Sequence, residues 1–275
     1  MNLSMSIKNH KKINIGIFGL GNMGQAIFKL LRQNQIGKQL NFFVYSLNLK
    51  KNKNVTCLNS LEELINKSDI IFLCIKPQDF YNLKPLETNN KIFISIMAGV
   101  KIANIKKIVN SQNVIRVMPN LPLHVGLGII AWFTDEKKLT KNKINFIKKI
   151  FTSFGYNFKV TRESDLDKIT AISGSGPAYV FLFMDALIKS AINLEFSPQQ
   201  AETIVFELMT GSLKYYQSVK NLYTPNQLIN MVKSKKGTTE AALNKLDAKK
   251  FYKQWQDATL EAYKRAQAIS NYSPR

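Results

Sequence analysis

The residues of this chain best suited to chemistry are glycines and hydroxyls. Gly19-Leu20-Gly21-Asn22-Met23-Gly24 follows an apolar run, Ile13 to Phe18, and precedes a helical pattern carrying Ala26, Ile27, Leu30 and Leu31. Between a strand and a helix, G-x-G-x-x-G is the fingerprint of a dinucleotide site. Gly19 permits the tight turn, Gly21 lets a pyrophosphate approach the backbone, and Gly24 lets helix and strand pack closely. The unpaired N–H groups that open the helix suit the phosphates. A second candidate is Gly237-Thr238-Thr239, where a lysine-rich loop enters a helix. Two readings stay open there: an anion site at a helix start, or a threonine cap with Glu240 in the first turn.

Other chemistries lack material. The chain has two histidines, His10 in the N-terminal tail and His124. A histidine-based metal site or catalytic dyad is therefore not expected, and His124 reads as a surface or packing residue. Cys57 and Cys74 make no disulfide framework, and Cys74 sits in an apolar run as a small core residue. This usage points to a reducing compartment.

The elements that must position these residues alternate. A second strand, Asn41 to Tyr45, ends in Ser46-Leu47-Asn48-Leu49-Lys50-Lys51. A cofactor with a free ribose 2′-hydroxyl usually meets a carboxylate here, but the first acidic residue after Gly24 is Glu62. Hydroxyl, amide and ammonium groups suit a 2′-phosphate, so NADPH is expected over NADH. Ser60 and Glu63 have capping-box spacing for a helix to Asn66. Further strands are expected at Ser68 to Ile75, Ile92 to Ile96, Val114 to Val117 and Gly126 to Phe133. Helices are expected at Ile102 to Val109 and Leu139 to Phe154. Three strands end in Lys76-Pro77, Met97-Ala98-Gly99 and Met118-Pro119-Asn120-Leu121-Pro122. Ligands of open α/β sheets lie at the carboxyl ends of the strands, which puts these rims near a cofactor. Five or six strands alternating with helices imply a mostly parallel Rossmann-type sheet.

From Ala171 onward nothing reads as a strand. Ser173-Gly174-Ser175-Gly176-Pro177 leads into the apolar run Ala178 to Ile188, read as a helix buried nearly all round. Ser197-Pro198 and Thr224-Pro225 open further helices. Gly211 is a candidate for a close helix crossing, and Ala248 to Ser270 is a candidate core or oligomer helix. The expected organisation is a basic tail at 1–12, a dinucleotide-binding domain at 13–165 and an all-helical domain at 166–275.

The formal net charge of +21 is spread along the whole chain. No recognition motif accompanies it, so it reads as a solvated basic surface that favours anionic small ligands, not a nucleic-acid site. No N-terminal signal stretch and no run of about 20 apolar residues for a membrane span stand out. A cytoplasmic protein is expected.

Taken together, these residues resemble the pyrroline-5-carboxylate reductase family. The resemblance runs from Ile13 to about Ile269. It rests on Gly19 to Gly24, Lys76-Pro77, Met118 to Pro122, the specific Ser173-Gly174-Ser175-Gly176-Pro177-Ala178-Tyr179 run, and Gly237-Thr238-Thr239. It implies an α/β nucleotide domain and an all-α domain that interlocks with a second subunit, often in higher oligomers of dimers. It also implies reduction of 1-pyrroline-5-carboxylate to L-proline with NADPH or NADH, without metal. By this resemblance Gly19, Leu20, Gly21, Asn22, Met23 and Gly24 hold the pyrophosphate, and Ser46 and Asn48 meet the adenosine ribose. Lys76, Pro77 and Ala98 border the cofactor, with Met118 and Asn120 at its nicotinamide end. Gly237, Thr238 and Thr239 bind the substrate, and Thr239 is the catalytic candidate, its hydroxyl reaching the ring nitrogen. The family's Ser-Pro-Gly-Gly-Thr-Thr is here Ser234-Lys235-Lys236-Gly237-Thr238-Thr239, and its Met-Pro-Asn-Thr-Pro has Leu121 for threonine.

Two other readings compete. β-Hydroxyacid dehydrogenases share the first half and carry a catalytic lysine on the interdomain helix. Lys189-Ser190-Ala191-Ile192-Asn193 has their Lys-x-x-x-Asn spacing, but far from the glycines that should precede it. A basic nucleotide- or nucleic-acid-binding module would instead bind in a salt-sensitive way and consume no NADPH.

Overall fold

The structure is a computed structural model, and it describes residues 12–46, 56–88, 91–135 and 139–272. Apart from Lys12 the basic tail, including His10, lies outside them, as do Asn48, Lys50 and Lys51.

The first half is a twisted sheet with helices on both faces. Its strands are β1 (Ile13–Phe18), β2 (Leu40–Tyr45), β3 (Thr56–Cys57), β4 (Ile70–Leu73), β5 (Ile92–Ser95), β6 (Val114–Met118), β7 (Gly128–Thr134) and β8 (Gly155–Lys159). They lie in the order β3-β2-β1-β4-β5-β6-β7-β8. Pairing is parallel throughout except between β6 and β7, where Val117 faces Trp132 in an antiparallel register. The strand order reverses between β1 and β4, and that junction is where a doubly wound sheet opens a crevice for ligand. The eight strands among the described residues exceed the five or six expected. The two-residue β3 is too short for a pattern, and β8 is a half-exposed strand, Gly-Tyr-Asn-Phe-Lys, without an apolar run.

Period-two alternation sorts each strand's side chains onto two cores. Ile15, Ile17, Ile70 and Phe72 pack on one face with Ile27 and Leu31 of α1 (Asn22–Gln33) and Ile147 and Phe151 of α5 (Lys141–Thr152). Phe18, Ile71 and Leu73 pack on the other. There they meet Leu64 of α2 (Leu61–Lys67), Phe80 of α3 (Pro77–Tyr81) and Ile105 of α4 (Ile102–Val109). Burial on both faces is why these strands read as continuous apolar runs. Ser60 caps α2 by accepting from the Glu63 N–H at 3.1 Å. The Glu63 carboxylate reaches back one residue further than expected, to the Asn59 N–H at 3.2 Å.

From Asp165 on, the chain is helical: α6 (Asp165–Ile169), a π-helical turn at Thr170–Gly174, α7 (Gly176–Asn193), α8 (Pro198–Val219), α9 (Pro225–Val232), α10 (Thr238–Ala248) and α11 (Phe251–Asn271). Ser197 with Gln200 and Thr224 with Gln227 form complete capping boxes, each with proline in the first turn. By packing, the chain divides into one compact unit of 1–175 with 262–275, and a second of 176–261. The first unit thus runs past residue 165 and recovers the end of α11, because Asp167, Ala171 and Ser173 are buried in it and Ser270 bonds to Asp167.

Within the second unit, Tyr179 packs edge-on against Trp255 at 5.5 Å between ring centroids. No residue of α7 is buried in the single chain, contrary to the expectation of a helix enclosed all round. Phe181 and Leu182 are 54% and 61% exposed. Gly211 has nothing within 4 Å of where a Cβ would stand, so the close crossing expected there is not made inside this chain. The helical stretch Asp165–Asn193 spans 29 residues and is long and apolar enough, by length and composition, to cross a membrane. A core helix passes the same test of length and composition.

Candidate functional site

The glycine turn does what its spacing predicts. Gly19 sits at φ +95°, in the left-handed region, and its N–H donates to the Tyr45 carbonyl at 2.8 Å. A Cβ on Gly24 would stand 2.2 Å from the Gly19 carbonyl oxygen, so only glycine lets α1 lie this close to β1. Beneath it is Cys74, whose thiol pKa is pushed up by burial. Gly21 is the N-cap of α1, with no side chain bonded to the helix start and nothing within 4 Å of its Cβ position. A bare helix N-terminus behind an open glycine fits a pyrophosphate. Leu20 sits in this turn, and Asn22 and Met23 open α1. Ser46, at the end of β2, accepts from the Leu20 N–H at 3.4 Å, which puts its hydroxyl beside the turn. Asn48 lies outside the described residues.

The remaining rim residues occupy the carboxyl ends of neighbouring strands. Lys76 is the exposed N-cap of α3 and Pro77 its first residue. Ala98 and Gly99 follow β5. Gly99 is at φ +75°, and a Cβ there would meet Ile269 Cγ2 at 2.3 Å, so the end of α11 presses on this loop. Lys101 Nζ donates to Asn271 Oδ1 at 2.9 Å beside it. Met118 ends β6, and the loop beyond tightens into a 3-10 turn, Leu121–Val125, that holds His124. Asn120 is buried, and its side chain is committed within the protein. Its Oδ1 accepts from the Ile129 N–H at 2.8 Å and its Nδ2 donates to Ser173 Oγ at 3.2 Å.

That last bond joins two motifs that lie far apart in sequence. The Ser173-Gly174-Ser175 run is not a simple helix cap. It forms the π-helical turn, closed by Ser175 N–H to the Thr170 carbonyl at 2.9 Å. A Cβ on Gly174 would stand 2.6 Å from Met118 Cε. The small residues therefore let this turn seat against the Met118–Asn120 rim. Such π turns are frequent at functional sites.

In the second unit, Gly237 caps α10 without a side-chain bond, and Thr238 and Thr239 are its first two residues. The threonine-cap alternative does not hold: the capping position is glycine. Lys236 stands at φ +59°, the left-handed conformation that the family's glycine would adopt without strain. Its N–H donates to Glu240 Oε2 at 2.7 Å, so the first-turn carboxylate clamps the turn. Thr238 is exposed, and half-buried Thr239 joins Tyr216, Leu228 and Leu243 around an apolar cavity of about 700 Å³. Lys189 pairs with Asp185 at 2.6 Å as an exposed i,i+4 bridge, not as a catalytic base.

Sequence reasoning missed a buried ionic cluster. Arg116, 3% exposed, lies 3.1 Å from Glu163 and 3.6 Å from Asp167. Its signal was a single cation inside the apolar run Val114-Ile115-Arg116-Val117. Among the described residues there is no group of histidine, cysteine and carboxylate side chains able to hold a metal.

A doubly wound sheet with this glycine turn, joined to a helical second half, defines an NAD(P)-dependent oxidoreductase. Residues 14–99 match the model described as NADP oxidoreductase coenzyme F420-dependent, and residues 163–269 match pyrroline-5-carboxylate reductase dimerisation. The pyrroline-5-carboxylate reductase of Aquifex aeolicus is 34% identical over 245 residues, 87% of this chain and 91% of that protein. A crystal structure of the Plasmodium falciparum enzyme with NADP bound superposes with a TM-score of 0.83 at 31% identity, covering 95% of this chain and 99% of that one. The Streptococcus pyogenes enzyme gives a TM-score of 0.85 at 27% identity, covering 94% and 100%. The chain belongs to the pyrroline-5-carboxylate reductase family. Its match to a dimerisation model over residues 163–269 makes the protein a homo-oligomer.

Proposed function

We propose that this chain reduces 1-pyrroline-5-carboxylate to L-proline with NADPH, NADH being the weaker donor. The observation that carries the reading is the uncapped start of α1 behind the open Gly21, in a chain whose second half matches the reductase dimerisation model. Gly19 to Gly24 hold the pyrophosphate, and Ser46 and Asn48 meet the adenosine end. Lys76, Pro77, Ala98 and Met118 line the cofactor, and Asn120 positions Met118 by tying the rim to Ser173.

When bound, the reduced nicotinamide supplies a hydride to the imine carbon. The chain's own residues orient the partner molecule. The N–H groups of Thr238 and Thr239 receive the substrate carboxylate, where the helix start favours negative charge. The Thr239 hydroxyl hydrogen-bonds the ring nitrogen. A protonated cyclic imine is already electrophilic, so positioning supplies most of the acceleration and no strong general acid is needed.

The helical domains of two subunits interlock through α7 and α8, and such dimers build higher oligomers. We place the protein in the cytoplasm, which the free Cys57 and Cys74 support. Nucleotide chemistry falls to residues 13–165, and substrate binding and dimerisation to 166–275.

NADPH oxidation with the imine, beside NADH and a hydroxyacid control, tests this. The expected result is turnover with the imine alone and a higher kcat/KM with NADPH. A better kcat/KM with NADH overturns the cofactor preference, and turnover with the hydroxyacid alone overturns the substrate. Thr239→Val should lower kcat/KM by about 10²-fold or more, as expected when a site built for a polar contact loses it. An unimpaired variant removes Thr239 from the site.

A further inference from the structure

We infer that Arg116 and Glu163 are a positioning pair that sets the two rim loops beside the nicotinamide end of the cofactor, governing the hydride step more than cofactor affinity. The inference rests on the reductase reading above.

Arg116 lies on β6, two residues before the rim residue Met118. Its Nη1 donates to Glu163 Oε1 at 3.1 Å. The same carboxylate oxygen accepts from the Ile102 N–H at 2.7 Å. Ile102 opens α4, three residues after Gly99, so one oxygen ties the loop that follows β5 to the strand that leads into the next rim. The second nitrogen, Nη2, lies 3.6 Å from Asp167 Oδ1, which also accepts from Ser270 Oγ at 2.6 Å. Asp167 precedes the π turn whose Ser173 holds Asn120. Ser270 follows Ile269, the residue pressed against Gly99. Ala98–Gly99 and Met118–Asn120 are thus fastened to a single guanidinium.

Stability alone does not account for the arrangement. A buried ion pair is often matched or bettered by apolar residues of equal volume. Apolar side chains could neither accept the Ile102 N–H nor bring Glu163 and Asp167 to one cation as Arg116 does. The cluster fixes positions, and hydride transfer is sensitive to position: a displacement of about 1 Å costs about 10²-fold.

Glu163→Gln keeps the shape and the acceptor but removes the charge that holds Arg116. In the dimer without cofactor, we expect faster amide exchange at residues 97–102 than in the parent. With NADPH, Kd read by fluorescence should change by less than about threefold while kcat falls about tenfold or more. The isotope effect with C4-deuterated NADPH should rise as hydride transfer becomes slower than product release. If Glu163→Gln does not accumulate as a folded dimer, Arg116→Lys, which keeps the charge but loses the fork, is read in the same way. Parental kcat, isotope effect and loop exchange in a folded variant overturn the inference, as does a Kd that rises in step with the fall in kcat. A parent protein that binds NADPH but never oxidises it with the imine overturns the reductase reading itself.

Discussion

Two glycines of one turn separate folding from binding. A Cβ on Gly24 collides with the Gly19 carbonyl, whereas one on Gly21 meets nothing. Gly24→Ala should therefore cost about 1–3 kcal/mol in stability, as overpacking does, read from urea unfolding. Gly21→Ala should leave Tm within about 2 °C of the parent. Its NADPH Kd should nevertheless rise about tenfold, because the methyl group fills the space a pyrophosphate needs. Unchanged affinity in Gly21→Ala would move the phosphate site elsewhere. Lys236 offers a complementary case. A non-glycine residue in the left-handed region costs about 1–2 kcal/mol, and glycine returns about 0.5–1 of that as chain entropy. Lys236→Gly should thus stabilise the protein by roughly 0.5 kcal/mol in a denaturant series. In this chain the turn is held by the Lys236 N–H, which donates to Glu240 Oε2 at 2.7 Å. At this scale the glycine turn was legible, because each glycine answers a steric need that spacing alone reveals. The Arg116 cluster was not, because Glu163, Asp167 and Ser270 meet it only after folding.

Among the elements, buried strands and helices were legible in the apolar pattern, their ends less so: Ser68 to Ile75 is strand only at Ile70–Leu73. Ile13–Phe18 and Ile102–Val109 stand where the apolar periodicity put them. The exposed strand β8 was not, since it offers alternation without an apolar run. Helix α7 teaches a different lesson: its composition is that of a core helix, yet in one chain it has no core to enter. Under the proposed interlocked dimer, its hydrophobicity belongs to the subunit interface. Leu182→Asp, at a position 61% exposed in the single chain, should break the oligomer into monomers that retain the nucleotide domain. Sedimentation velocity reads the result, and an unchanged sedimentation coefficient would exclude that face from the interface. The π turn at Thr170–Gly174 was missed because its small residues suit a cap equally well. Gly174 leaves room there for Met118, whose Cε would stand 2.6 Å from a Cβ on it.

For the whole molecule, the charge of +21 has a functional reading under the proposed activity. A basic surface raises the encounter rate with the anionic cofactor NADPH, whose kcat/KM is the one at issue, and mobile ions screen that attraction over about 10 Å at 0.1 M. kcat/KM should therefore decline as salt rises, by about threefold over a tenfold range of ionic strength, with kcat nearly constant. A flat profile would make the lysines a solubility feature alone. A mostly parallel sheet followed by an all-helical stretch was legible in the alternating runs, but the strand order and the return of residues 262–275 to the first unit were not. No local pattern announces which unit the end of a helix will join.

That return carries a consequence for biosynthesis. Translation delivers the nucleotide unit in two instalments, with residues 176–261 threaded between them. Ser270 is the hydroxyl partner of Asp167 and Ile269 the support of Gly99, and both leave the ribosome after residues 176–261. The growing polypeptide can pair its strands early, but it acquires a braced rim only once residues 262–271 have been made. A chain stalled or clipped before residue 262 would own every glycine of the phosphate turn and still lack the wedge behind Gly99.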